Sequence, residues 1–254
     1  MSVNKNSISI VTVTKNPNIE WLNNAMSSVV NQNNQICQYI IVDASDEKEA
    51  KQIEQMCKKY NAEYHSQLTT GLWEAFSEAF DLCKGEIIGI INSDDYIEND
   101  CLKIIKSTFE QNDCDFIYGN SRRVDSNGNE LYIHKPLNLF LPKFANFLTF
   151  NVSHHTLYFK KDILKEIQFI DEKFDNHFDL VFINKLFNKF NSKYIPSVLA
   201  NFRIWGGNAS TNSYKSTSEV FAKTNNLVSW LFFIPKVIHI ITNISYLKYL
   251  LFKK

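Results

Sequence analysis

Short apolar runs alternate with longer segments of helical spacing through the first half of the chain. Ser9–Thr14 (SIVTVT) is a β-branched run without a charge, the pattern of a strand buried on both faces. Trp21, Leu22, Ala25, Met26 and Val29 then recur as one face of an amphipathic helix. Tyr39–Asp43 (YIIVD) predicts a second strand, and Glu47–Tyr60 a helix with a lysine-rich outer face. Ile87–Ile91 (IIGII) predicts a third buried strand, and Asp115–Tyr118 (DFIY) a fourth. Strands separated by helices of this length need right-handed crossovers, so the expected class is α/β with a mainly parallel twisted sheet flanked by helices. The pattern changes in VDSNGNELYI, where Asn127-Gly128 is the preferred pair of a two-residue turn and predicts a β-hairpin. Phe178, Phe182, Leu186 and Phe190 recur every four residues and predict a helix within Phe174–Phe190.

No repeat, low-complexity stretch or clear linker interrupts this pattern. One domain is therefore expected over residues 1–212, followed by a helical appendage over 213–254. Within the appendage, Val228–Lys254 is apolar but broken by Pro235, Lys236, His239 and Asn243. A spanning helix needs about 20 predominantly apolar residues. Trp230 and the terminal lysines suit a helix lying in a membrane interface, which would give peripheral membrane contact; packing on the domain's own surface is the alternative.

Composition narrows the field. With 27 basic and 27 acidic residues the formal charge is zero, so no general attraction to nucleic acid is expected and any anion site must be built locally. Five scattered cysteines without a C-x-x-C pair fit free thiols in a reducing compartment. The N-terminus enters a strand-like run without the layout of a signal peptide, so a cytoplasmic location is expected, at the inner face of the membrane if the appendage docks there.

Candidate chemistry gathers where the predicted strands end. The first runs into Lys15-Asn16, the second into Asp43-Ala44-Ser45-Asp46, the third into Asn92-Ser93-Asp94-Asp95, and the fourth into Gly119-Asn120-Ser121. Open α/β sheets bind ligands outside the carboxyl ends of their strands. Carboxylates and amides there point to a polar ligand with a hard cation such as Mg2+ or Mn2+. An ordinary Asp-Asp turn or helix cap is the bland reading of Asp94-Asp95 alone. Neither G-x-x-x-x-G-K-[ST] nor G-x-G-x-x-G is present, which excludes P-loop and dinucleotide cradles. If His154-His155 lay on a strand, the two rings would point to opposite faces and make a poor metal site.

Together these segments resemble glycosyltransferase family 2, an inverting family with the GT-A fold. The resemblance runs through SIVTVTKN (Ser9–Asn16), NAMSSVVNQ (Asn24–Gln32), YIIVDASD (Tyr39–Asp46), GLWEAFSEA (Gly71–Ala79) and GEIIGIINSDD (Gly85–Asp95). It continues through Asp115–Asn120, Val152–Phe159, Phe174–Leu180 and Phe202–Ser210, covering roughly residues 7–212. It implies a nucleotide-sugar donor, UDP by default, a glycan or lipid-linked acceptor in surface-polysaccharide synthesis, and a divalent metal. Thr12 and Asp43 would hold the nucleotide, with Asn92 and Ser93 beside it. Asn92 stands where the family usually has the first Asp of its D-x-D motif. Asp94, with Asp95, would meet the metal. Glu74 and His154 would face donor or acceptor, and Arg203 with Gly206-Gly207 would close near the diphosphate.

The family's base is an aspartate just before a helix, and His177 occupies that place in Asn176–Leu180. An imidazole titrates near neutrality, so His177 is a candidate base and Asp179 the alternative. A single displacement would invert the anomeric centre. Two rival readings remain: a nucleotide-sugar-binding protein that has lost its chemistry, favoured by His177 and Asn92, and a nucleotidyltransferase, which would need a basic glycine-rich loop that the sequence lacks.

Overall fold

The computed structural model describes residues 6–32, 36–136, 152–167 and 178–207. Strand β1 (Ile8–Thr14) leads into α1 (Ile19–Val30), β2 (Ile36–Asp43), α2 (Glu47–Tyr60), β3 (Glu63–Ser66), α3 (Leu72–Leu82) and β4 (Ile87–Ile90). After β5 (Tyr96–Ile97) and α4 (Cys101–Gln111) come β6 (Phe116–Val124), β7 (Glu130–His134), β8 (Tyr158–Lys160), α5 (Phe178–Lys189) and β9 (Ser192–Arg203). The strands form one sheet in the order β3-β2-β1-β4-β8-β6-β9-β5, with β7 also paired to β6.

Around β1 the strands are mutually parallel: β1 lies between β2 and β4, and β2 carries β3, which has no clear pattern in the sequence, on its other edge. Antiparallel pairing enters through the expected β6–β7 hairpin and through two very short strands. Strand β8 wedges between β4 and β6, and β5 pairs with β9. The β6–β9 pair is again parallel. The chain moves outward from β1 to β3 and returns across it to β4, so the strand order reverses beside β1. That reversal opens a crevice at the carboxyl ends.

Both faces of the sheet are buried, which is why its central strands read as unbroken apolar runs. One core cluster gathers Ile8, Ile10, Tyr39 and Ile41 under α1, α2 and α4. The other gathers Val11, Ile40, Val42 and Ile88 with Phe76, Phe80, Phe159 and Phe182. Gly89 sits where the Tyr158 ring crosses β4; a Cβ there would lie 2.5 Å from that ring. Four described cysteines, Cys57, Cys83, Cys101 and Cys114, are buried free thiols.

Several local expectations change. The hairpin does not use a two-residue turn. Asp125 N–H donates to the Asn129 carbonyl and Gly128 N–H to the Asp125 carbonyl, with Gly128 at φ +89° and a register shift at Arg123/Val124. Glycine supplies the positive φ that a three-residue loop with a bulge requires, so Ser126 joins the turn. His154 and His155 lie in a 3-10 turn (His154–Thr156) rather than a strand, with ring centroids 5.6 Å apart at 77°. Helix α5 buries Phe182 and Leu186 as the four-residue spacing predicts. Residues 213–254 lie outside the described residues. Among those described, no helix is long and apolar enough to cross a membrane.

Candidate active site

The loops after β1 and β2 are tied together before any ligand is considered. Asn16, in the left-handed region at φ 46°, donates its backbone N–H to Ser45 Oγ at 2.7 Å. Its side-chain amide exchanges two bonds with Asp46, at 3.1 and 3.0 Å. Asp43, paired in register with Thr14, is buried. It accepts from Ser45 N and Ser45 Oγ at 3.0 and 2.5 Å, and from the Tyr64 hydroxyl at 3.1 Å. Burial and the Asp43 charge push the Tyr64 phenol up to about 12, keeping it a donor. A carboxylate offers about four acceptor sites, so these three bonds leave one.

Thr12 is not brought to the cleft. Its hydroxyl donates to the Ile91 carbonyl at 2.8 Å and meets Tyr39 Oη at 3.1 Å, with no exposed surface. Two residues nearer the strand end and on the same face, Thr14 keeps a buried hydroxyl that has no partner among the described residues. The alternation of β1 could have indicated Thr14.

Beyond β4 a second network begins. Asn92 donates from Nδ2 to Asp95 Oδ2 at 2.9 Å, which leaves its Oδ1 to accept from His154 Nε2 at 3.0 Å. His154 Nδ1 meets Asp179 Oδ2 at 3.2 Å. With an amide oxygen on one side and a carboxylate on the other, both ring nitrogens act as donors, the protonated form. Burial opposes that charge, but the Asp179 bond and the charges of Asp179, Asp95 and Asp94 outweigh it and raise the pKa. A continuous path therefore runs Asp95–Asn92–His154–Asp179, from the loop after β4 to the first turn of α5. His177 lies outside the described residues.

The two adjacent aspartates diverge. Asp95 is fully buried, with Oδ1 accepting Arg203 N–H at 3.0 Å and Oδ2 accepting from Asn92. Burial, reinforced by Asp94, pushes its pKa up to about 7 despite those bonds. Asp94 is half-buried at the cleft, where Oδ2 accepts the Trp205 indole N–H at 2.9 Å. Trp205 packs on Trp21 with centroids 5.1 Å apart, and Asn18 caps α1 through Glu20 N–H and Trp21 N–H, fixing where Trp21 begins that helix. Ser93 is half-buried between these groups in sequence.

Arg203 is not presented as an anion clamp. It is buried, donating from Nε to the Asp94 carbonyl at 3.1 Å and from a terminal nitrogen to the Ser126 carbonyl at 2.9 Å. Its guanidinium lies over Trp21 and Tyr96, with distances to the centroids of 5.1 and 5.7 Å. Behind the cleft, His155 stacks on Phe202 and bonds Ser121 Oγ at 2.7 Å. Its Nδ1 sits 3.6 Å from Asp95 Oδ2, and burial with the Arg123 charge holds its pKa well below the ordinary histidine value. Glu74, in the first turn of α3, is half-buried with a buried Oε2 that has no partner among the described residues.

The donors around Asp94 are oxygens, as a hard cation requires. Among the described residues no group of three or more His, Cys, Asp or Glu side chains could hold a metal ion by itself. A single protein carboxylate completed by phosphate and water oxygens is a normal Mg2+ arrangement, so Asp94 fits that role. Asp95, with both oxygens bonded inside the protein, fits it poorly.

The family model for glycosyl transferase family 2 matches residues 9–168. The chain belongs to that family. Among solved structures, S. aureus TarS 1-349 in complex with UDP-GlcNAc superposes with a TM-score of 0.67 at 17% identity, covering 86% of this chain and 66% of that one. The same fragment in complex with UDP gives a TM-score of 0.63 at 17% identity, covering 86% and 65%. A further TarS structure matches at 0.62 and 16% identity, and there the chain covers only 39% of that chain's length. At such identity the likeness establishes the fold. None of the curated proteins matches the sequence. The chain spans between about two fifths and two thirds of the length of the solved structures it matches.

Proposed function

We propose that this family 2 chain transfers a sugar, with inversion, from a nucleoside-diphosphate donor of the UDP class to a hydroxyl of a glycan or lipid-linked acceptor. Surface-polysaccharide assembly is the fitting setting. The observation that carries this reading is the convergence of Asp43, Asn92, Asp94, His154 and Asp179 on the carboxyl end of one sheet. Asp43, with one acceptor site to spare beside the Thr14 hydroxyl, takes the base or ribose of the donor. Glu74 faces the donor sugar with an oxygen that no described residue satisfies.

Asp94 is the residue that would hold Mn2+ or Mg2+. Such a cation supplies neutralisation of the departing diphosphate. The chain's own groups do the rest. Asp95 and Arg203 fix the main chain around Asp94, and Trp205, packed on Trp21, holds the Asp94 carboxylate through its indole N–H. Asp179, half-exposed at the start of α5, takes the proton of the acceptor hydroxyl; His154 orients it and stays charged. His177 remains the rival base.

The test compares Asp179→Asn, His177→Ala and Asp94→Asn in a donor screen with and without Mn2+, reading transfer and UDP binding separately. Loss of at least a hundredfold in turnover for Asp179→Asn, with UDP binding retained, supports Asp179, since general bases contribute 10²–10⁴-fold. A silent Asp179→Asn beside a crippled His177→Ala transfers the role to His177. Nucleotide binding without transfer or hydrolysis under any metal reduces the chain to a binding protein.

A further inference from the structure

A second concavity opens on the flank of the molecule, between α1, β5 and the β6–β7 hairpin, with a volume of about 670 Å3. That is within the ~300–1,000 Å3 range of small-ligand clefts. Asn24, Ser27, Tyr96, Glu98, Arg122 and Glu130 line it together with Arg203. Of these side chains only Arg203, and Tyr96 packed beneath it, take part in the network described above.

We propose that this groove binds a neutral, hydroxyl-rich glycan segment of the acceptor or of the elongated product, an inference that rests on the sugar-transfer reading. Charge selects the ligand class. Arg122 donates from Nε to Glu98 at 3.1 Å and from a terminal nitrogen to Glu130, and Arg203 also lines the groove, so two cations face two carboxylates. A phosphate or nucleotide would meet a wall of no net positive charge. An apolar ligand would strand amides, hydroxyls and charges without water. A polyhydroxylated ligand satisfies them: the guanidinium keeps N–H groups beyond those two bonds, each carboxylate keeps acceptor sites, and planar groups offer paired contacts to neighbouring hydroxyls. The mutual ion pairs hold all three side chains in place before a ligand arrives, which lowers the ordering cost of binding.

Position supports the same ligand. Trp21 stacks on Trp205 at the donor cleft. At a rise of 1.5 Å per residue, Asn24 and Ser27 lie about 4.5 and 9 Å further along α1. The groove therefore starts beside the cleft and leads away from it. Arg203 joins the two, lining the groove while its backbone N–H donates to Asp95. A chain reaching the cleft could lay its distal units along this flank.

The experiment titrates the full chain with linear oligosaccharides of two to six units. Neutral β-1,4-glucan, β-1,4-N-acetylglucosamine and α-1,4-glucan series are used, with hyaluronan oligosaccharides as the anionic control and UDP titrated in parallel. At least one neutral series should bind with affinity rising with length and exceed the anionic control. Asn24→Trp, which fills the groove from an exposed helix position, should weaken that binding at least tenfold while leaving UDP affinity within twofold. Glu130→Gln, which removes charge without adding bulk, should shift preference toward the anionic control. No binding by any neutral series, or binding unmoved by both variants, overturns the inference. Retained UDP binding in that case leaves the donor reading standing. Oligosaccharide binding without UDP binding overturns the donor reading instead.

Discussion

The two sides of the cleft hold their carboxylates in different ways. On the β2 side Asp43 is held by Ser45, two residues on, and by Tyr64 on the neighbouring strand. On the β4 side Asp95 is held by Arg203, 108 residues away, and Asn92 by His154, 62 residues away. The first arrangement is a local loop closed on itself and left with spare acceptor capacity. The second is a long-range bridge whose members use most of their capacity on each other. A local loop is suited to receiving a ligand, and a bridge to holding distant elements in register. The cleft thus combines a wall with spare acceptor capacity and a wall bonded largely to itself.

This contrast breaks most visibly at Asp95. Replacing it with alanine strands Arg203 N–H and the Asn92 amide in the interior. Leaving a buried donor without its partner costs about 1–3 kcal/mol, and two are stranded here, so urea denaturation should show a loss of a few kcal/mol. A loss under 1 kcal/mol would mean that the bridge is not structural. Next in size, Asp43→Asn should weaken UDP binding about tenfold or more by titration calorimetry, while lowering the melting temperature little, because the site on that wall is built for the ligand. The reverse pattern would equate the two walls.

Ser45→Ala tests the local closure alone. The Ser45 hydroxyl donates to the Asp43 carboxylate and accepts Asn16 N–H; a neutral bond contributes about 0.5–1.5 kcal/mol and one to a charged group about 1.5–3, so chemical denaturation should report a loss of about 1–3 kcal/mol with donor binding only mildly reduced. The smallest effect is in pH. His154 has a raised pKa, so its contribution is fully present below the unfolded value near 6.5 and is lost as pH rises through the folded pKa. His155 has a depressed pKa, so it is neutral when folded, and the stability tied to it is lost as pH falls below about 6.5 toward the folded value. Melting curves of His154→Gln against wild type should therefore converge as pH rises above neutrality, and those of His155→Gln should show less acid sensitivity than wild type. Parallel curves across pH 5–8 would contradict both assignments.

Much of the framework was legible in the chain. Glu47–Tyr60 forms the helix its spacing predicts, and the β1, β2 and β4 runs form central strands, because burial on both faces leaves an unbroken apolar signature. The short strands β5 and β8 escaped, since two or three residues carry no period. Asp43 and Asp94 stand out in the sequence because they follow buried runs, and Glu74 because it falls in a segment that resembles the family. Thr12 turns inward to the Ile91 carbonyl, whereas Thr14, on the same face of β1, lies nearer the strand end. The partners of Asp95, the packing of Trp205 on Trp21, and the inward turn of Arg203 had no sequence signal.

What the sequence determined by itself is the periodicity of burial, and hence the parallel core and the gathering of polar residues where its strands stop. Which of those polar residues bond each other was decided only by the tertiary structure. Strand order and the 3-10 turn at His154 set distances between segments 60 to 110 residues apart, and hydrogen bonds exist only at such distances, not in the pattern along the chain.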